Sequence, residues 1–161
     1  MSLDFPDRLP TGRLDLRRVE AVDIDALLEV NGDPEVTRFL PYPTWRSLQD
    51  GEAWFERMQG LVATGTALQL VVVERQHAWL IGAVLLFQYL PEHARAELGY
   101  VLGRRHWGQG LMREALQAVI DHAFAALQLH RLEASVDPRN AASNRILQAL
   151  GFACEGRLRQ R

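Results

Sequence analysis

The sequence predicts a mixed α/β domain on a mostly antiparallel central sheet flanked by helices, and three observations predict it. Two runs rich in Val, Leu and Ile, near 67–74 and 79–88, are joined by the short polar turn Arg75-Gln76-His77, so they should pair antiparallel. A third apolar run, 94–102, leads through a basic, glycine-bearing turn into the clearest helix of the chain, 109–127. Beyond it come a strand at 131–136, a helix at about 141–150 and a last strand from Phe152, which implies a parallel crossover beside the glycine turn.

Each element follows from local pattern. Residues 12–18 alternate, with Leu14 and Leu16 on one face and Arg13, Asp15 and Arg17 on the other. Asp23 can cap a helix through about Asn31 whose apolar side is Ile24, Leu27, Leu28 and Val30. A short helix fits Pro34 to about Leu40, and Pro41 and Pro43 then enforce an extended turn. Ser47 or Asp50 opens a longer helix to about Ala63, with Trp54, Phe55, Met58, Leu61 and Val62 as its stripe. In 109–127 the stripe is Met112, Ala115, Leu116, Val119, Ala123, Phe124 and Leu127. The last helix starts at Asn140 and stops at Gly151.

The turn between 102 and 112 carries the chemistry. A helix start leaves backbone N–H groups without intrahelical partners, and its dipole favours negative charge. Gly108 and Gly110 put no side chain between those amides and a phosphate, and Arg104, Arg105 and His106 lie beside them. The ligand this suits is a pyrophosphate; the alternative is that the glycines only allow a tight strand-to-helix connection. Leu111 and Met112 stand where a P-loop needs Lys and Ser/Thr, and Arg113 stands where a dinucleotide fingerprint needs its third glycine.

Composition narrows the function classes. At 161 residues, 48% apolar and 24% charged, the chain has the size and make-up of one ordinary globular domain, residues 1–161. A net charge of −2 argues against nucleic acid as the main partner. The single cysteine, Cys154, rules out an internal disulfide and a multi-cysteine zinc site, and the five histidines never fall at i, i+4, so no metal is expected. The start Met-Ser-Leu-Asp-Phe-Pro has no basic-then-apolar signal, and no apolar run approaches the roughly 20 residues that span a bilayer. The expected location is the cytoplasm, with no membrane partner.

Asn140, Ser143 and Asn144 form a second constellation at the start of the last helix. Asn140 suits an N-cap and Ser143 suits N3; alternatively the same side chains face a cleft and hydrogen-bond a ligand. Taken with the glycine turn after a glutamate-bearing strand and the terminal Leu150-Gly151-Phe152, this resembles the GNAT superfamily of acyl-CoA-dependent N-acyltransferases. The phosphate signature of that family, Gln/Arg-x-x-Gly-x-Gly/Ala, is matched by Arg105, Gly108 and Gly110. Within it the chain is most similar to ribosomal-protein N-terminal acetyltransferases of the RimJ/RimL type. The shared features are Thr11-Gly12-Arg13-Leu14-Asp15-Leu16-Arg17, Gly99-Tyr100, Trp107-Gly108, Asn140-x-x-Ser143 and Gly151-Phe152 with Glu155-Gly156. The resemblance covers about 11–159.

The resemblance implies a sheet splayed between the strands at 94–102 and 131–136, with acetyl-CoA as cosubstrate. The pantetheine arm would pair with amides near Tyr100, Val101 and Leu102 like an added strand. The pyrophosphate would lie on the stretch Arg105, His106, Trp107, Gly108, Gln109, Gly110, Leu111 and Met112, with Arg104 and Arg105 adding charge at the rim; Asn140 would also reach the ligand. The implied reaction is direct attack of a primary amine, from a protein N-terminus or a small molecule, on the thioester carbonyl.

Glu97 is the candidate base, its pKa raised by half-burial; the alternative is a surface glutamate paired with Arg95. Amides near Val101 and Leu102 are the candidate oxyanion donors. The tyrosine that many relatives use as general acid is replaced by Leu147, which leaves Ser143 or a bound water for that role. Cys154 is expected in the core. Phe39, Tyr42, Trp45 and Trp54 are candidate walls of the amine pocket or ordinary core. Relatives usually continue past the Glu-Gly-x-x-Arg segment, whereas this chain stops at Arg161; the edge so exposed would suit a homodimer. The competing reading is a non-catalytic acyl-CoA-binding or regulatory module, and another acyl donor such as succinyl-CoA stays open.

Overall fold

The structure, a computed structural model, describes residues 3–158. Strands β1 (Leu9–Pro10), β2 (Leu14–Arg18), β3 (Leu68–Glu74), β4 (Trp79–Leu90), β5 (Arg95–Leu102) and β6 (Arg131–Glu133) form one sheet whose spatial order is the chain order. All neighbours pair antiparallel except β5 and β6, which run parallel. The helices are α1 (Ile24–Asn31), α2 (Pro34–Thr37), α3 (Leu48–Ala63), α4 (Leu111–Ala126) and α5 (Ala141–Ala149).

The central strands read as continuous apolar runs because both faces of the sheet are covered. On β3, Leu68, Leu70 and Val72 join the core beneath α4, together with Leu14, Leu16, Val84, Leu86, Leu98, Met112, Leu116 and Val119. Val71 faces the other way, into a second core with Leu27, Val30, Trp45, Trp54, Ala83 and Val101 under α1 and α3. Leu14 and Leu16 are both fully buried, as their alternation predicts. In β4 the register slips by one residue, leaving Ile81 extra, and Gly82 then lies so close to β5 that a Cβ there would be 2.3 Å from the Val101 carbonyl oxygen.

Several expectations need correction. No strand begins at Phe152 among the described residues. Leu150 and Gly151 turn the chain, with Gly151 at φ +94, and residues 152–158 then run on outside the sheet. An Arg131–Glu155 ion pair holds this segment beside β6 without laddering it. Cys154 is therefore exposed, not core. Position 161 lies outside the described residues. Asp23 does not cap α1 with its side chain, because its carboxylate is held by Arg17 (2.8 Å) and by the Glu20 N–H (2.8 Å) across a short 3-10 turn at Ala21–Asp23. Ser47 occupies the N-cap position of α3 without a side-chain bond; Asp50 reaches back instead to the Arg46 N–H at 2.7 Å. Strand β6 is three residues long, half the predicted run.

Candidate active site

The short β6 leaves the end of β5 unladdered on its side. Its parallel register with β5 is Arg95↔Arg131, Ala96↔Leu132 and Glu97↔Glu133, and it ends there while β5 continues to Leu102. Peptide groups alternate sides along a strand, and two observations fix which side is which. The Gly103 N–H donates to Ile81 on β4 (2.7 Å), and the Ala94 carbonyl accepts from His130 and Arg131 on the β6 side. Odd-numbered residues of β5 thus turn their peptide groups to β4, and even-numbered ones turn theirs to the gap. Leu98, Tyr100 and Leu102 face the gap with their backbone; the Val101 N–H faces β4. The Leu102 carbonyl is already taken, accepting from the Trp107 indole N–H at 2.8 Å.

At the end of β5 the chain makes a 3-10 turn at Arg104–His106 and two left-handed glycine steps, Gly108 and Gly110, both at φ +74. A β-carbon at Gly108 would meet nothing within 4 Å, and Gly110 is the N-cap of α4. The amides of Leu111 and Met112 and their neighbour Arg113 are therefore the orphan donors of a 16-residue helix. Arg105, Gln109 and His106 line a groove of about 660 Å³ on the other flank of this turn, along with Arg13, His77 and Trp79. Partial burial holds the His106 imidazole below its ordinary pKa, against a pull upward from Glu74.

Two features of this turn are not legible from local sequence. Arg104 does not add charge at the rim: it forms a bidentate pair with Asp33, the N-cap of α2 (Nε to Oδ2 2.7 Å, Nη2 to Oδ1 2.6 Å). Arg13, far back in the chain, takes a place there instead. Its Nε donates to Glu114 (2.8 Å), its Nη1 to the Gln109 carbonyl (3.0 Å), and its Nη2 lies 3.6 Å from where a Cβ of Gly110 would be. Glu114, in the first turn of α4, also accepts from the Thr11 hydroxyl and the Arg13 N–H. A carboxylate and a guanidinium thus tie the start of β2 to the glycine turn.

On the far side of the gap, Asn140 caps α5, its Oδ1 accepting from the Ser143 N–H at 3.1 Å. The Asn144 side chain donates to the Asn140 and Asp137 carbonyls and fixes the preceding loop. Ser143 is 9% exposed, and its hydroxyl hydrogen-bonds the Tyr100 hydroxyl across the gap. Burial raises the Tyr100 phenol pKa, with the Ser143 bond acting in the opposite sense.

The structure brings Tyr100 and Ser143 together but puts Glu97 elsewhere. Glu97 is half-buried and, three residues from Tyr100 on β5, projects from the opposite face of the sheet. Leu147 is buried and cannot present a polar group. Of the four aromatic residues, Trp45 and Trp54 are core, packed at 5.5 Å between centroids, and Tyr42 is tied to Asn31 (2.6 Å). Phe39 lies between Arg38 and Arg139, so it links the α2 side to the loop before α5. Among the described residues no cluster of His, Cys, Asp and Glu could hold a metal, and no helix is long and apolar enough to cross a membrane.

Comparison with known proteins gives the same architecture. Residues 13–153 match the family model described as an acetyltransferase (GNAT) domain. The chain is 36% identical over 153 residues to the Bacillus licheniformis protein named uncharacterized N-acetyltransferase p20, covering 95% of this chain and 86% of that one. It is 29% identical over 152 residues to the ribosomal-protein-serine acetyltransferase of Escherichia coli, covering 88% of this chain and 84% of the relative. Among solved structures, a GNAT-family acetyltransferase from Bacillus anthracis superposes with a TM-score of 0.81 at 26% identity, covering 92% of this chain and 85% of that one.

Proposed function

The chain belongs to the acetyltransferase (GNAT) family, and from that premise we propose that it transfers an acetyl group from acetyl-CoA to a primary amine by direct attack in a ternary complex. One observation carries the reading: the unladdered edge of β5 beyond Glu97 runs straight into the left-handed glycine turn that opens α4. Pantetheine amides suit the gap-facing peptide groups of Leu98 and Tyr100 and the Leu102 N–H, and a pyrophosphate suits the amides from Gly108 to Met112.

Glu97 is the base of this proposal. An amine must lose a proton to attack, and a half-buried carboxylate beside the gap can take it directly or through a water. The tetrahedral oxyanion needs a donor from the gap side of β5, which favours the Leu102 or Tyr100 N–H over that of Val101. Ser143 is the proposed source of the proton that returns to the leaving thiolate. The acceptor is an amino group on a protein N-terminus or a small molecule such as a polyamine or an amino sugar.

The test begins with calorimetric titration by acetyl-CoA, with adenosine diphosphate as comparison. Acetyl-CoA should bind clearly tighter. A panel holding an N-terminal-serine hexapeptide, spermidine and an amino sugar then reads turnover. Glu97→Gln should cut turnover at neutral pH by about 100-fold, in the range for a lost general base, with acetyl-CoA affinity kept. Tight binding with no turnover on any amine would favour a non-catalytic acyl-CoA-binding module.

A further inference from the structure

The contact between Tyr100 and Ser143 has a chemical surplus. Each hydroxyl carries one hydrogen, and a bond between two hydroxyls uses only one of them. Among the described residues neither oxygen has another hydrogen-bond partner apart from this one. The pair therefore keeps one O–H to donate. It keeps it on the wall of the gap, because Tyr100 belongs to the stretch of β5 that β6 leaves uncovered and Ser143 to the first turn of α5 opposite.

A serine alone is a poor answer to the thiolate. Its alkoxide is far more basic than a thiolate, so a proton taken from an isolated serine would be pulled straight back. A phenol, with an ordinary pKa of about 10, is close in acidity to a thiol at about 8.5. Helix α5 offers no phenol, since Leu147 is buried one turn beyond Ser143. Strand β5 offers one at Tyr100, already hydrogen-bonded to Ser143.

We propose that Tyr100 and Ser143 form a hydroxyl relay for the leaving group, Ser143 giving its proton to the CoA sulfur while Tyr100 replaces it; the proposal rests on the acetyl-transfer reading above. When the carbon–sulfur bond of the tetrahedral intermediate breaks, its electron pair goes to sulfur, which takes the Ser143 hydroxyl proton. The Ser143 oxygen takes the phenolic proton, and the phenolate regains one from water after the thiol leaves. Tyr100 acts through Ser143 and does not itself touch the sulfur. The base, Glu97, projects from the other face of β5, so the incoming and outgoing protons are handled on opposite sides of the sheet.

The experiment is a single-turnover comparison of two donors, acetyl-CoA and its selenoester analogue, with the N-terminal-serine hexapeptide or spermidine as acceptor. A selenolate is a much weaker base than a thiolate and leaves without a proton. With acetyl-CoA, Tyr100→Phe and Ser143→Ala should each slow transfer by about 100-fold, the scale of a lost general acid. The double variant should be no slower than Ser143→Ala, Ser143→Thr should recover most of the rate, and acetyl-CoA affinity should change less than threefold in all. With the selenoester, every variant should run within a few-fold of wild type. Equal losses with both donors would mean that the pair only supports the fold of the gap, and an unchanged acetyl-CoA rate in Tyr100→Phe would remove Tyr100 from the reaction; either overturns the relay. A wild type that binds acetyl-CoA but acetylates no amine would overturn the acetyl-transfer reading, and the relay with it.

Discussion

Gly110 carries two demands at once, a left-handed φ of +74 and a guanidinium 3.6 Å from where its β-carbon would lie. A β-branched side chain meets both badly, because it resists positive φ and would project toward Arg13. Gly110→Val should abolish acetyl-CoA binding in calorimetry; normal affinity would remove the phosphate from this turn. Arg13 makes a second test. Arg13→Gln removes a cation beside the turn and should weaken acetyl-CoA binding by about tenfold, the scale of one charge-assisted hydrogen bond. Glu114→Gln, which leaves that cation in place, should weaken it less. The two glycines are legible in the sequence because a turn that needs positive φ shows itself in residue type. Arg13 is not, since a contact between residues 96 positions apart leaves no local pattern. The meeting of Tyr100 and Ser143, 43 positions apart, is not legible either, for the same reason.

At the scale of elements, the Arg104–Asp33 pair matters most, because it fastens α2 to the loop that forms the glycine turn. Asp33 also caps α2 through the Glu35 N–H at 3.0 Å. The Arg104 guanidinium holds the Asp33 carboxyl below its ordinary pKa. A carboxylate whose folded pKa is depressed stabilises the fold above its unfolded pKa, and that contribution fades as pH falls through the folded value. Asp33→Asn should therefore lower Tm at pH 7, and the difference from wild type should shrink below about pH 4, where the unfolded carboxylate protonates. A difference that persists unchanged at pH 2.5 would show that the cap geometry and not the charge is responsible. The longer elements were readable from their apolar period: α4 occupies 111–126 within a predicted 109–127. The strand expected from Phe152 was not readable, because a short apolar start says nothing about whether an edge will receive it.

At the scale of the whole molecule, the described residues form a sheet with a core on each face and a seam between β5 and the β6–α5 unit, where the ladder stops after three residue pairs. A ligand laid in that seam touches both sides and binds only the folded chain. Acetyl-CoA at 100 times its Kd should then add about 2.7 kcal/mol of stability, seen as a rise in Tm that grows with concentration. Hydrogen exchange should slow most in α5 and in the loop at 134–140. Slowing confined to α4 would mean that the ligand rests on the turn without entering the seam. Fold class was legible from the order of elements, and the splay only through family resemblance, because a three-residue strand carries too little pattern to announce where pairing ends.

The spatial order of the strands repeats their order along the chain. Such a sheet can grow during synthesis one strand at a time, each newcomer meeting an edge that its predecessor has just supplied. Most pairings then close short loops, which keeps the entropy of assembly low and folding fast. The ties that cross the chain come later: the one from Thr11 and Arg13 to Glu114 spans more than 100 residues and cannot form until α4 has been made. The glycine turn is therefore locked by the opening segment only after α4 has been made, one step before β6 joins the edge of β5 and completes the sheet.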